Sequence, residues 1–423
     1  MGVREKEILS VSTATTRPAG ECAKGDTSFA PVRVLHVLGS LGIGGVEAWL
    51  TNLVRQVDPS RVAMDFLVHA EAREGYVEEI AARGCRIIVC SLSWDPVAYA
   101  FRFLKALREY GPYDVVHSHV HHFSGYILWL ARLAGVPGRI AHSHSDTSRC
   151  EAHANVLRTA YTGLMAAAIR RNATVEIGAN QAAGEALFGP AWQDDPRREL
   201  IHCGIDTEPF QNTGSGLDVR AEFRIPADAF VVGHVGRFVE PKNHKFLVEM
   251  AQCLVRLLPK TRFLWIGDGP LRPAIQAQVA EAKLSDRVLM PGSRRDVPRM
   301  LAAMDAFVFP SLWEASPLSL TEAQAAGVPC IASDAIAPES FIVKDLVAPL
   351  ALSLGPATWA SATAGLRGRK ATCSRSKAFS MIQCSSFAIP FGATLLERIY
   401  LDQRDSGLGT TKGTRTIGTS PKF

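Results

Sequence analysis

The sequence predicts an α/β protein of two Rossmann-like units, each a parallel sheet with helices on both faces. Three observations predict it. The chain has 423 residues, and a single hydrophobic core rarely grows past roughly 250–300 residues, so two domains are expected. Short apolar runs alternate with helical patterns of about 10–15 residues, the reading of a parallel sheet with crossover helices. That alternation occurs twice, before and after a polar, Gly-rich break at Gln211–Gly216.

Residues 1–30 are rich in Ser, Thr, Ala and Gly without an apolar stretch, and read as a disordered leader, not a secretory signal. Val32–Leu38 is then an apolar run ending at Gly39. Glu47–Val57 follows with Trp49, Leu50, Leu53, Val54 and Val57 at helical spacing. Strands are expected at Met64–Val68, Arg86–Cys90, Asp114–His117 and Arg139–Ala141. Helices at Tyr76–Arg83, Val97–Glu109 and Phe123–Leu133 separate them. Val175–Ile177 and Glu199–Ile201 read as short strands before a Gly204-Ile205-Asp206 turn. In the second half, strands at Phe230–Val235, Arg262–Ile266, Arg287–Met290, Ala306–Phe309 and Cys330–Ala332 alternate with helices. Those helices are Lys245–Leu257, Leu271–Ala282, Val297–Ala302 and Pro317–Ala326. Periodicity is weak over 342–384, and a helix returns over 387–402 through Leu395, Leu396, Ile399 and Tyr400. The expected divisions are a first domain over 31–211, a second over 212–386, the helix 387–402 crossing back, and a disordered tail 403–423.

Composition narrows the partners. The apolar share of 47% excludes global disorder. A net charge of +5, from 46 basic and 41 acidic residues, suits an anionic ligand or an acidic membrane surface. It is too small to indicate nucleic acid. Nine cysteines without a CxxC pair read as reduced thiols in a cytoplasmic protein. No run reaches the roughly 18–20 apolar residues of a membrane span; Tyr126–Val136 is broken by Arg132.

Four motifs carry chemistry. In Pro310–Glu322, Ser316 suits an N-cap and Pro317 the first helical position. The amides of Ser316, Leu318 and Ser319 would then face the carboxyl edge of the sheet as an anion site. Glu314 above it and Glu322 along the helix offer carboxylates for sugar or ribose hydroxyls; a solvated Glu and a helix-surface Glu is the plainer alternative. In Val235–Asn243, Arg237 and Lys242 follow a strand that stops at Gly236, and two such cations can offset a diphosphate and stabilise it as a leaving group. Taken alone, they could also be a surface pair. Gly39–Glu47 resembles a dinucleotide loop, but its third glycine position is Glu47. A loop bringing backbone close to a ligand fits better. Finally His117, His119, His121 and His122 follow one strand, and His142 and His144 the next, at strand ends where such sheets place ligands. Zinc is a minor reading, since no acidic or Cys ligand accompanies them at familiar spacing.

Together these residues resemble glycosyltransferase family 4, in its capsular and exopolysaccharide branch. The resemblance rests on Gly236-Arg237 with Lys242, Gly267-Asp268-Gly269-Pro270, and Glu314 and Glu322 followed by Ala326-Gly327-Val328-Pro329. The first half adds Gly44-Gly45-Val46-Glu47, Asp114–His119, Ile140–His144 and Gly204-Ile205-Asp206. It implies a GT-B fold, with two Rossmann-like domains facing across a cleft. The implied reaction is retaining transfer from a nucleotide-diphosphate sugar to a polysaccharide or lipid-linked oligosaccharide. An epimerase or phosphorylase on the same fold, or an inactive partner subunit, are the alternatives. Carried over by residue, Arg237 and Lys242 hold the diphosphate, and Gly44 and Gly45 approach it. Glu314 meets the donor sugar and Glu322 the ribose. His144 sits at the reacting sugar and His119 on the acceptor side. No metal or other cofactor is expected, and peripheral contact with the inner face of a cell membrane is allowed for.

Overall fold

A computed structural model describes residues 30–71, 75–92, 95–147, 155–212, 214–314, 316–368 and 373–407. The leader expected at 1–30 therefore lies outside the described residues apart from Ala30.

The first half runs β1 (Val32–Leu38), α1 (Gly45–Gln56), β2 (Val62–Val68), α2 (Val77–Ala82), β3 (Ile87–Val89), α3 (Pro96–Tyr110), β4 (Val115–Ser118), α4 (Ser124–Leu133), β5 (Gly138–Ser143), α5 (Val156–Asn172), β6 (Val175–Gly178), α6 (Gln181–Phe188) and β7 (Arg198–Leu200). After α7 (Leu217–Glu222) come β8 (Phe230–Val235), α8 (His244–Leu257), β9 (Thr261–Ile266), α9 (Arg272–Glu281), β10 (Val288–Gly292), α10 (Val297–Ala302), β11 (Ala306–Phe309), α11 (Leu318–Ala325) and β12 (Cys330–Ser333). The chain finishes with β13 (Val347–Leu350), α12 (Gly355–Ala364), α13 (Arg375–Gln383) and α14 (Ile389–Gly407).

All strand pairings within the two sheets are parallel. The first sheet has the order β3-β2-β1-β4-β5-β6-β7 and the second β10-β9-β8-β11-β12-β13. Strand order reverses between β1 and β4 and again between β8 and β11. Open parallel sheets bind ligands at such switch points, beyond the carboxyl ends of the strands. Each sheet carries core on both faces, because crossover helices cover both sides. Phe66 and Ile177 pack with Trp49 of α1 and Leu396 of α14 on one face, and Phe103, Ile127 and Trp192 lie on the opposite face.

α14 returns to the first half, where Ile389, Ala393, Leu396, Ile399 and Tyr400 complete its core. The turn at 204–206 runs beside this return. Ile205 N–H donates to Phe387 O (2.8 Å) and Ile389 N–H to Ile205 O (2.9 Å). Gly204 is required there: a Cβ would lie 2.7 Å from the Ala388 carbonyl carbon. The helix continues five residues past the expected end at 402; the rest of the expected tail, 408–423, lies outside the described residues.

Three helices before 342 escape the sequence patterns: α5, α6 and the short α7 that follows the break. α5 has no apolar stripe to read, because Val156, Leu157 and Leu164 are exposed. α6 is short and marked chiefly by its cap, Asn180, which accepts from Ala183 N–H at 2.7 Å. The weakly periodic 342–384 stretch also folds. Trp359 of α12 is fully buried against Phe246 of α8, and Ser374 caps α13.

Candidate active site

The second half supplies cationic loops. After β8 the chain passes Gly236 and Arg237 and is gripped by the 267–271 loop: Phe238 N–H donates to Asp268 O (2.9 Å) and Leu271 N–H to Phe238 O (3.0 Å). Gly267 has φ +135° and packs directly on the Gly236 carbonyl, a conformation and closeness that favour glycine. Asn243, in the left-handed region, donates to Pro310 O at 3.1 Å, and Leu312 N–H donates to Pro241 O at 2.8 Å. The loops after β8 and β11 are thereby fastened together. Lys242 Nζ meets Glu314 Oε1 at 2.5 Å, with side-chain exposures of 18% and 11%, and lies 4.8 Å from the Phe309 ring centre. Arg237 is exposed and has no ion pair among the described residues.

At the start of α11 the structure corrects the capping expectation. Pro317, not Ser316, occupies the N-cap, and no side chain caps the helix. Pro317 has φ −79° and ψ 71°, the inverse γ-turn geometry, and Leu318 N–H accordingly donates to Ser316 O at 2.9 Å. One of the three amides expected to face an anion is therefore already engaged. Ser316 Oγ instead lies beside the Cys203 thiol.

The first half meets this edge with the start of α1. A Cβ at Gly45 would touch Leu318 Cδ1 at 3.8 Å, so the first residues of α1 and α11 adjoin. Glu47 folds back beside Gly44. Burial raises its carboxyl, while its own backbone N–H and the Arg237 charge oppose that rise. Burial pushes the Glu322 carboxyl up to about 7. Tyr76 is close enough that the Glu322 charge adds to the burial raising its phenol. Arg295 donates to Gly75 O and lies 5.9 Å from the Tyr76 ring centre.

Histidines from β1, β4 and β5 form one buried cluster at the carboxyl edge of the first sheet. His36 and His117 are register partners. His36 Nδ1 pairs with His119 Nε2 (3.0 Å), and His119 Nδ1 with His144 Nε2 (2.8 Å). His117 Nε2 pairs with His142 Nδ1 (3.2 Å), and His117 Nδ1 with the Tyr400 hydroxyl (2.8 Å). Burial lowers His36 and His144 to about 3. Burial and neighbouring imidazoles hold His117, His119 and His142 well below the usual range. All five are neutral at pH 7.

The structure thus brings His119 with His144, Lys242 with Glu314, and Gly45 with Leu318. His117 and His142, which the sequence places at strand ends, are integral to the cluster. Sequence reasoning missed His36, Glu47, Cys203 and Tyr400. His36 had a signal, since period-two alternation in β1 puts it on one face with Val34 and Leu38. Tyr400 had none, because its contact spans 283 positions.

Comparison with known proteins fits this geometry. Residues 229–366 match the profile of glycosyl transferases group 1, and residues 44–191 that of the glycosyl transferase 4-like domain. A Bacillus subtilis (strain 168) protein named as a glycosyltransferase, EpsF, is 36% identical over 335 residues, spanning 78% of this chain and 87% of that one. The UDP-Gal:alpha-D-GlcNAc-diphosphoundecaprenol alpha-1,3-galactosyltransferase of Escherichia coli is 30% identical over 254 residues, spanning 59% of this chain and 64% of that one. In fold, HepE of Anabaena, solved in complex with UDP, gives a TM-score of 0.72 at 17% identity over 88% of this chain and 100% of that one. The chain belongs to the family 4-like, group 1 glycosyltransferases and carries their GT-B fold.

Proposed function

We propose that the protein transfers a sugar, with retention, from a nucleotide-diphosphate sugar to a lipid-linked glycan in surface polysaccharide synthesis. The observation that carries the reading is the meeting of the α1 and α11 starts beside Arg237 and Lys242. Helix starts and cations both favour phosphate oxygens. UDP in the HepE structure and UDP-Gal in the name of the E. coli relative support a uridine nucleotide. Arg237 and Lys242 take the diphosphate, with the amides of Ser316 and Ser319 and the backbone at Gly44 and Gly45. Leu318 packs against Gly45 and the cores of both halves. Lys242 shifts from Glu314 to phosphate when the donor binds, which frees Glu314 to accept from sugar hydroxyls. Glu322 accepts from the ribose.

The chemistry follows from those charges. The bond between the sugar C1 and the diphosphate oxygen breaks as the acceptor hydroxyl attacks the same face. Its proton passes to the departing phosphate oxygen, so no covalent enzyme intermediate is needed. Neutral His144 lies at the first-half side of the reacting sugar and exchanges its Nε2 contact with His119 (2.8 Å) for a hydrogen bond from a sugar hydroxyl. Positive charge from Arg237 and Lys242 stabilises the leaving diphosphate without added metal.

The acceptor's lipid places the enzyme at the cytoplasmic face of a membrane. No described helix is long and apolar enough to cross one. Neighbouring helices α3, α4 and α5 expose Phe101, Trp129, Leu133 and Leu157, with Lys105 and Arg108 beside Phe101. Such a mixture suits an interfacial surface. Nucleotide sugars tested for thermal protection and then for turnover with a lipid-diphosphate acceptor examine the whole reading. A UDP-sugar is expected to protect and to release UDP in the presence of chelator. A product of inverted anomeric configuration would sink the retaining mechanism, and donor conversion without acceptor would sink transfer to a glycan.

A further inference from the structure

The buried histidine cluster holds more imidazole than sugar transfer uses. His119, His142 and His144 each offer one ring nitrogen to a common point, the three lying within 4.8 Å of one another. The other nitrogen of each ring is held from behind. His119 Nε2 faces His36 Nδ1 (3.0 Å), His142 Nδ1 faces His117 Nε2 (3.2 Å), and His144 Nδ1 faces the Cys203 sulfur (3.5 Å). A third layer follows, with the Tyr400 hydroxyl on His117 Nδ1 at 2.8 Å. His142 Nε2 is buried and has no hydrogen-bond partner among the described residues, an expensive state for a lone pair unless something accepts it.

We infer that His119, His142 and His144 form a binding site for a zinc-like divalent ion, with His36, His117 and Cys203 as positioning residues that orient the three rings. Metal-bound histidines have their second nitrogen fixed by a hydrogen-bond partner, a part taken here by two imidazoles and a thiol. Three histidines and an open fourth position are a recurrent zinc geometry. The 2.8 Å contact between His119 Nδ1 and His144 Nε2 opens only slightly to the nitrogen–nitrogen edge of about 3.3 Å that Zn–N bonds of about 2.0–2.1 Å imply. All-nitrogen donors select zinc, cobalt, nickel or copper over magnesium and calcium, which prefer oxygen. A second triple, His36, His117 and His119, is more deeply buried and shares His119, so one ion serves the cluster. The site does not depend on the donor reading. An ion there takes the His144 lone pair out of the cleft, whereas nucleotide binding rests on charges in the other half.

The full chain, stripped with chelator and desalted, is titrated with Co2+ and with Zn2+. One Co2+ per chain with the visible bands of tetrahedral coordination, displaced by Zn2+, is expected. His142→Asn abolishes those bands, and His36→Asn weakens Co2+ binding by about 10–100-fold. Far-UV circular dichroism and the thermal melt of each stripped variant establish that it is folded. Zinc is expected to slow turnover and leave thermal protection by UDP unchanged, which separates this site from the donor site. Substoichiometric Co2+ in wild type, an octahedral spectrum, or identical affinity in wild type and His36→Asn would overturn the inference, and the wild-type spectrum decides even if His142→Asn does not fold.

Discussion

Replacing Glu322 with Gln should stabilise the ligand-free protein while weakening its hold on the donor. The carboxyl is held at about 7 in the folded chain, against about 4.5 when solvated, and burial is the cause. Between those two values the folded state binds the proton that the unfolded state has released. Stability is therefore complete below about 4.5 and declines as pH rises through about 7. At 1.36 kcal/mol per pH unit the loss has a ceiling of about 3.4 kcal/mol, and partial solvent contact at Glu322 brings it to about 2–3 kcal/mol. Gln carries no such proton. Glu322→Gln is expected to match wild type at pH 4.5 and to exceed it by about 2–4 °C in Tm at pH 8, at about 1–1.5 °C per kcal/mol for a chain of this length. Melts across that range test it, with UDP titrated in parallel, where affinity should fall about tenfold or more because a charge-assisted hydrogen bond to ribose is lost. Parallel wild-type and variant curves from pH 4.5 to 8 would show that Glu322 is solvated, and would remove the burial argument altogether.

Other consequences are equally direct. The five neutral histidines refuse protons that the unfolded chain accepts, so stability is complete above about pH 6.5 and falls as pH drops below it, down to about 3 for His36 and His144. The urea midpoint should decline steeply below pH 6.5, and His36→Asn should flatten that slope by about one proton, or about 1.4 kcal/mol per pH unit. Glu314→Gln keeps an acceptor for half-buried Lys242 but removes its counter-charge. A fall in kcat of about 10²–10³-fold and a loss of about 2–3 kcal/mol in the free protein are expected, and turnover within severalfold of wild type would exclude the assigned role. Gly204→Ala drives a methyl to 2.7 Å from the Ala388 backbone; unfolding titrations should record a loss of about 2 kcal/mol or more. Phe101→Ser and Leu157→Ser should reduce flotation with anionic vesicles while leaving Tm within a degree or two, because both side chains are exposed.

The fold was legible wherever burial imposes a period. β1, α1, β8, α8 and β11 each bury a repeated apolar face, and their positions follow from that repetition. α5 was not, since its outward residues are Val156, Leu157 and Leu164 and its sequence carries no polar face to contrast. The 342–384 stretch packs through small residues such as Ala360 and Ala378, which leave little periodic signal. At the site, single-loop features were readable: Gly236-Arg237, Lys242, Glu314 and the paired glycines at 44 and 45. Contacts between distant segments were not. Nothing local announces that Lys242 meets Glu314 across 72 positions, or that Cys203 stands behind His144. The misassigned cap shows the same limit at short range, because Ser316 has the right side chain and Pro317 the dihedral angles that decide.

The return of α14 sets the order in which the molecule can be completed. During synthesis the first half is exposed by about residue 211, but Ile389, Leu396 and Tyr400 of its core emerge 178 residues later, roughly 10–35 s at about 5–20 residues per second. For that interval an apolar trough lies open along β1, β4 and β5, and His117 waits for its tyrosine. Severing the chain at the break between the halves would yield an N-terminal fragment with an unfinished core, one that regains its fold only when a peptide spanning 389–407 is supplied in trans.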